Sequence, residues 1–278
     1  MSFLTVLFAY LLSRYTHGAG TLQYDVLFHR LLAWLAHRFP NTPLTFVLSV
    51  PVVSVLGGAI IWVLPYGLAF LASLAVVFCS IGRHHCRPSL QETVQALHDN
   101  KEERVWLQLQ DTGLLTPDEP LWNGIVRQTV YEYLNGLFAA LFWFCLLGPT
   151  GILFYRLLDL YNQRATPLSL PDRRFWQDAL DWLPARFMGL CFCLAGDFAR
   201  GINLWRALFF DTRLAPAVFL HRCADAASVS DNATVTPITD VSDQTEIQGV
   251  YERSSALQAL LERTEIIGIV GLALVVLL

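Results

Sequence analysis

The sequence is short of charge. Only 15% of its 278 residues are Asp, Glu, Lys or Arg, against about a quarter in an ordinary soluble domain. The shortage is uneven. From Phe39 to Gly82 there is no Asp, Glu, Lys, Arg or His at all. As helix, at about 1.5 Å of rise per residue, that stretch reaches roughly 66 Å, while the hydrocarbon core of a bilayer is about 30 Å thick. One span is therefore too few, and two are expected. Excess positive charge is missing as well. The net charge is -4 and no basic face carries interleaved aromatics, so nucleic acid is not an expected partner. The six cysteines, Cys79, Cys86, Cys145, Cys191, Cys193 and Cys223, match neither zinc nor disulfide spacing. Those inside apolar runs read as small hydrophobes. His84, His85 and Cys86 adjoin, but three consecutive residues close poorly on one ion and fit a membrane-flanking turn better. A P-loop, a dinucleotide fingerprint, a zincin pattern and a nucleophile elbow are all absent. These patterns call for no metal and no other cofactor.

What is present is apolar. Hydrophobic residues make up 54% of the chain and the mean hydropathy is +0.45. The expected fold is all-α, a single polytopic membrane bundle over residues 1–278 with broken and amphipathic helices. Residues 22–39 carry apolar side chains on one helical face and Asp25, His29, Arg30, His37 and Arg38 around the rest, the pattern of a helix lying in a membrane surface or on the bundle. Spans are expected at 46–64 and 66–82, turning at Pro65. The basic residues Arg30, Arg38, Arg83, Arg87 and Lys101 flank this hairpin, which makes its flanks cytoplasmic. A cytoplasmic segment follows at 83–132, in which Ser89 with Glu92 and Thr116 with Glu119 have capping-box spacing. Further spans are expected at 137–157 and 264–278. The apolar runs within 2–13 and 184–200 are short, and read as spans or as re-entrant helices. A Ser-, Thr- and Asp-rich polar loop is expected at 224–250.

Within the third expected span, Gly148-Pro149-Thr150-Gly151 interrupts a heavy aromatic run. A helix broken at membrane depth must bury its loose backbone groups against protein or water, and such breaks line binding sites. A plain proline kink satisfies the pattern equally. Ionisable groups beside apolar runs are the other candidates, since charges held in a membrane face an interior cavity. Arg156, just past the break, reads as an anion or phosphate contact or as an arginine reaching the headgroups. Arg186 and Asp197 bracket the short apolar segment. On one straight helix they would share a face some 16 Å apart, as cleft-lining or interface residues. Asp178, Asp181 and Glu132 precede apolar segments and fit either a cation or solvated helix ends, the second better. Trp34, Trp143 and Trp182 read as interface anchors. The candidate pocket comprises Gly148, Pro149, Gly151, Tyr155, Arg156, Asp159, Arg186 and Asp197, with no catalytic residue and no metal ligand among them.

The run "YDVLFHR" from Tyr24, the hairpin, "FWFCLLGPTGILFYR" and "LDWLPARF" from Leu180 carry a resemblance over nearly the whole chain. The sequence resembles the AmpE family of bacterial inner-membrane proteins, named as regulatory signalling modulators of beta-lactamase induction. That family is in turn similar to the cobalamin-pathway membrane proteins that attach an aminopropanol arm to adenosylcobyric acid. Gly148-Pro149-Thr150-Gly151 with Tyr155-Arg156, and Pro184-Ala185-Arg186, carry the more distant likeness. The sequence departs from the cobalamin enzymes in lacking their Gly-Asp-Pro motif and their His-Pro pair. Where they have Asn-Thr-Leu-Asp, it reads "LLDLYN" from Leu157, with Asp159 as a partial counterpart. The resemblance implies a non-enzymatic, multi-pass inner-membrane regulator in muropeptide sensing, with the bilayer and a small-molecule ligand or pathway protein as partners. The alternative is a cobinamide-synthase-like enzyme in which Arg156 and Arg186 contact a phosphate or corrinoid amide arm and Asp159 or Asp197 positions a divalent metal or an amine. A transporter fits less well, because no internal repeat with paired broken helices is visible.

Overall fold

The computed structural model describes residues 48–81, 121–163, 173–228 and 244–277, with isolated positions between 30 and 109. Among the described residues every regular element is helical, as the all-α reading expects. The expected segment 2–13, the His84–Cys86 turn and most of 83–120 lie outside them. So does the greater part of 22–39, where the described positions Arg30, Trp34, His37 and Arg38 are helical and exposed.

The chain divides into two compact units. The first draws on residues 1–84, 136–181 and 272–278. It begins with a π-helical turn, Leu48–Val52, that carries Pro51. Proline removes a backbone donor, and the wider π turn accommodates the loss. The Ser54 hydroxyl donates to the Pro51 carbonyl at 2.8 Å. Helix α1, Val53–Val63, follows. Leu64 is extended, with ψ 153, as the residue before a proline prefers. Pro65 accepts from the Ala69 amide at 2.9 Å, which opens α2, Tyr66–Ile81.

The next two helices are joined without a gap. Helix α3, Leu121–Tyr133, passes through a π segment, Leu134–Phe138, into α4, Ala139–Leu147. Together, Leu121–Leu147 form a 27-residue stretch of mean hydropathy 1.5, the one helix among the described residues long and apolar enough to cross a membrane. The third expected span overlaps the C-terminal part of this stretch. The sequence reading centred it on 137–157 and left 121–132 to a polar segment. In the structure α3 buries Ile125, Val126 and Val130 together with Arg127 and Gln128, so its polar residues do not mark it as solvated. The helix ends at Gly148, whose φ of 64 and ψ of -150 suit glycine and few other residues. Pro149 then starts α5, Pro149–Gln163, the first-turn position where a missing N–H costs nothing. The interruption is a single residue, because 149–151 are already helical.

Helix α5 is the centre of the first unit and contacts α1, α2 and α4. Close approach is bought with glycine: a Cβ at Gly58 would overlap Thr150, and one at Gly151 would overlap the Trp143 carbonyl. Leu157, Leu158, Leu160 and Tyr161 bury one side of α5 against Val50 and Leu180.

The second unit draws on residues 85–135 and 182–271. Helix α6, Arg173–Ala195, spans 23 residues with Pro184 inside it; its residues through Asp181 group with the first unit and the rest with the second. Then come α7, Phe198–Leu208, α8, Pro216–Ser228, and α9, Gln244–Leu277. Helix α8 contacts α3 and α7, and Gly189 and Gly201 lie against Phe219 and Cys193 respectively. The polar loop expected over 224–250 is narrower at both ends, since 224–228 complete α8 and 244–250 begin α9. The terminal apolar run from Ile266 is the last part of a 34-residue helix. Residues 184–200 are not one element either: α6 stops at Ala195 and a new helix starts at Phe198.

Candidate functional site

In the first unit, the two turns of α5 after the Gly148 break carry Tyr155, Arg156, Asp159 and Asn162. At spacings of four and three, Tyr155, Asp159 and Asn162 share one helical face. The Tyr155 hydroxyl donates to Asp181 Oδ1 at 2.8 Å. Asn162 Nδ2 donates to Gln177 Oε1 at 3.1 Å. Gln177 Nε2 in turn donates to Asp181 Oδ2 at 3.3 Å. Tyr155 is 3% exposed and Asp181 is fully buried, so the carboxylate is held by a hydroxyl and a carboxamide rather than by water. This corrects the preferred reading of Asp181 as a solvated helix end. The spacing of Gln177 and Asp181, one turn apart on α6, was readable; that α6 turns them onto Tyr155 and Asn162 of α5 was not. Gln177 and Asn162, both half-buried, thus join Asp181 in a polar cluster whose assembly the sequence did not show.

Arg156 sits beside Tyr155 on α5 and is itself buried. Its Nη1 is paired with the Asp159 carboxylate. Its Nε and Nη2 are also buried and have no hydrogen-bond partner. A buried donor left unmade costs about 1–3 kcal/mol, so the open edge of this guanidinium is a costly feature. Gly148 and Pro149 shape the break, and Gly151 admits the Trp143 carbonyl. These three supply backbone geometry and no polar side chain.

Arg186 and Asp197 belong to the second unit. Arg186 is 1% exposed. Its guanidinium lies 4.8 Å from the Trp182 ring centre and 4.3 Å from that of Phe219, within the range of cation–π attraction. Nε donates to the Phe209 carbonyl at 3.3 Å and Nη2 to the Asp211 carbonyl at 2.8 Å. The Arg186 carbonyl accepts from Trp205 Nε1 at 2.8 Å. Arg186 therefore fastens the turn between α7 and α8 to α6. Trp182, expected as an interface anchor, is part of that fastening and also lies against Phe209.

Asp197 is not on the same helix as Arg186. It is the N-cap of α7, accepting from the Ala199 and Arg200 amides at 3.0 and 3.2 Å. That is the ordinary use of Asp before a helix. The common helical face expected for the two residues fails because α6 ends at Ala195, before Asp197 is reached.

Two other features carry less chemistry. Burial pushes the Cys223 thiol up to about 12, with Cys193 adding to the shift and Arg186 opposing it. Cys223 is thus protonated at neutral pH and is no nucleophile. A small cleft lined by Thr93, Gln128, Thr129 and Glu132 has room for about one water, near 10 Å³.

Comparison with known proteins finds sequence similarity to cobalamin biosynthesis proteins. No protein-family model matches the chain, and no solved structure does. Over 155 residues, half of its length, the chain is 32% identical to the cobalamin biosynthesis protein CobD of Chromobacterium violaceum, covering 48% of that protein. Over 193 residues, 64% of its length, it is 29% identical to the cobalamin biosynthesis protein CobD of Stutzerimonas stutzeri, covering 57% of that protein. The matched region spans about half the length of these curated relatives. The likeness to cobalamin-pathway proteins expected from the glycine-proline and proline-alanine-arginine motifs is therefore found, whereas the AmpE assignment gains nothing from these matches. The chain is a helical protein similar to cobalamin biosynthesis proteins of the CobD type.

Proposed function

We propose that this chain is a multi-pass inner-membrane protein that binds a corrinoid and works as a cobinamide synthase does, joining an aminopropanol arm to a corrinoid carboxyl as an amide. This reverses the order in which the sequence motifs alone ranked the two readings. The observation that carries it is the similarity to two cobalamin biosynthesis proteins. The polar cluster of Tyr155, Asn162, Gln177 and Asp181, with Arg156 and Asp159 on the same helix, supplies donors and acceptors of the kind amide side chains need.

The membrane placement rests on composition and on one more observation. Around the α1–α2 turn, Trp62, Val63 and Tyr66 are 88%, 81% and 89% exposed. Large apolar side chains that no protein covers mark a surface meant for another phase, and lipid is the phase that suits a hairpin without charges. The basic residues flanking the hairpin support a cytoplasmic side for its two ends.

The test is native mass spectrometry of the full chain, purified in mild detergent and incubated with a cobyric-acid-type corrinoid. The expected result is a one-to-one adduct, with growth restored when the gene is supplied to a strain lacking its cobinamide synthase. No adduct and no growth would refute the reading. An adduct without growth would keep corrinoid binding and remove the ligase step.

A second reading has one observation in its favour. The Gly-Asp-Pro and His-Pro motifs of the cobalamin enzymes do not occur in this sequence. A scaffold without them fits a non-enzymatic regulator of the AmpE kind, which would convey a ligand or partner state in beta-lactamase induction. Deleting the gene and measuring beta-lactamase after exposure to an inducer decides this one, with altered induction as the expected outcome and unchanged induction as its refutation.

A further inference from the structure

We infer that the Nε–Nη2 edge of Arg156 is a binding fork for an oxyanion, a phosphate or carboxylate that is not part of this protein's described structure. A guanidinium has two usable faces for a pair of parallel hydrogen bonds. In Arg156 the Nη1 end is already committed to Asp159. Nε and Nη2 lie side by side on the remaining edge, with a fixed spacing set by covalent geometry that matches two oxygens of one carboxylate or phosphate. Both nitrogens are buried and neither has a partner, in a residue only 9% exposed.

The contrast with the other polar cluster of α5 argues for a ligand rather than a flaw. One residue earlier, the Tyr155 hydroxyl finds Asp181 at 2.8 Å, whereas Arg156 has two adjacent donors of one charged group left without a partner. An ionised group left with two empty donors is far costlier than a neutral one. The Asp159 carboxylate offsets the charge of Arg156 but engages only one end of the guanidinium. A bound oxyanion would complete the donor set.

The anion has two possible sources, a lipid headgroup phosphate or a soluble oxyanion, and the chemistry of the fork is the same for both. The site stands on the geometry of Arg156 and deepens the ligand-binding reading of α5, yet it does not require a corrinoid. A protein that binds no corrinoid and still shows an Arg156-dependent anion site would lose only the functional reading.

The experiment uses the full chain in a neutral maltoside detergent. One arm adds phosphatidylglycerol, with phosphatidylcholine of the same chain length as reference. The other adds inorganic phosphate, with chloride at matched ionic strength as reference. Binding is read by native mass spectrometry and by the rise in Tm. The expected result is a saturable response to phosphatidylglycerol or to phosphate, weakened about tenfold or more by Arg156→Lys, which keeps the charge and loses the fork, and abolished by Arg156→Gln. Asp159→Asn should retain the response, since Asp159 holds the other end of the guanidinium. The wild-type protein alone can overturn the proposal: no preference for either probe over its reference removes the site. Equal responses from wild type and Arg156→Gln remove it too, and equal responses from wild type and Arg156→Lys replace the fork by a point charge.

Discussion

Around Arg186 the chain surrounds a guanidinium with two aromatic rings and two carbonyl oxygens and leaves Nη1 alone without a partner; around Arg156 it offers one carboxylate and leaves the whole facing edge, Nε and Nη2, bare. Both arginines are buried in a sequence that has little charge to spare. The difference lies in what the fold supplies: ring faces and carbonyls to Arg186, a single carboxylate to Arg156. Carbonyls and rings are permanent partners supplied by the fold, and they tie α6 to the turn after α7. An unpartnered fork, by contrast, contributes nothing to folding until something binds it. The sequence alone treated the two residues as members of one pocket, and their surroundings now assign them different work.

The comparison is sharpest for stability. Replacing Arg186 by Ala removes two hydrogen bonds from a charged donor and both ring contacts, and leaves the Phe209 and Asp211 carbonyls without their donor. A loss of about 3–5 kcal/mol is expected, read as a large fall in Tm in detergent or as failure to accumulate. A fall smaller than that of a surface substitution would break the structural reading of Arg186. Next in size is Tyr155→Phe, which takes from the buried Asp181 carboxylate a hydroxyl donor worth about 1.5–3 kcal/mol. Denaturant titration should show the loss, and Asp181→Asn combined with it should cost less than the sum of the two, since they share one contact. Asp197→Ala removes the α7 cap and should cost about 1 kcal/mol, with Asp197→Ser restoring most of it. A corrinoid or anion assay should be indifferent to that change if Asp197 is a cap and not a ligand. The smallest effect belongs to Arg156→Ala. Its ion pair with Asp159 is lost, but two unpaired buried donors are lost with it, and the net change should stay within about 1 kcal/mol of zero in ligand-free protein. Equal destabilisation by Arg156→Ala and Arg186→Ala, measured side by side, would erase the distinction drawn here.

Much of the architecture was legible in the residues. Proline at 65 and an uncharged run on either side marked the turn between α1 and α2. Gly148-Pro149 marked a break where the chain does break. The position of the long apolar helix was less legible, because Arg127 and Glu132 suggested a polar segment. In the structure Gln128 Nε2 donates to Glu132 at 2.6 Å and Arg127 is buried, so these groups find partners inside the protein and the helix runs on through them. The site was half readable. Tyr155, Arg156 and Asp159 stood out as polar groups beside an apolar run. Asp181 looked like a solvated helix end and Gln177 drew no reading, because their partners Tyr155 and Asn162 are about twenty residues away and on another helix.

The sequence by itself determined that this protein is helical, that its charge is withheld from long stretches, and that glycine and proline interrupt it at Gly148 and Pro149. Those properties are local: they follow from side-chain polarity, from the missing Cβ of glycine and from the missing N–H of proline. Only the tertiary structure decided which buried polar groups are satisfied. Whether a guanidinium meets carbonyls and rings, as Arg186 does, or one carboxylate and an empty edge, as Arg156 does, depends on what distant segments bring to it, and no spacing along the chain records that.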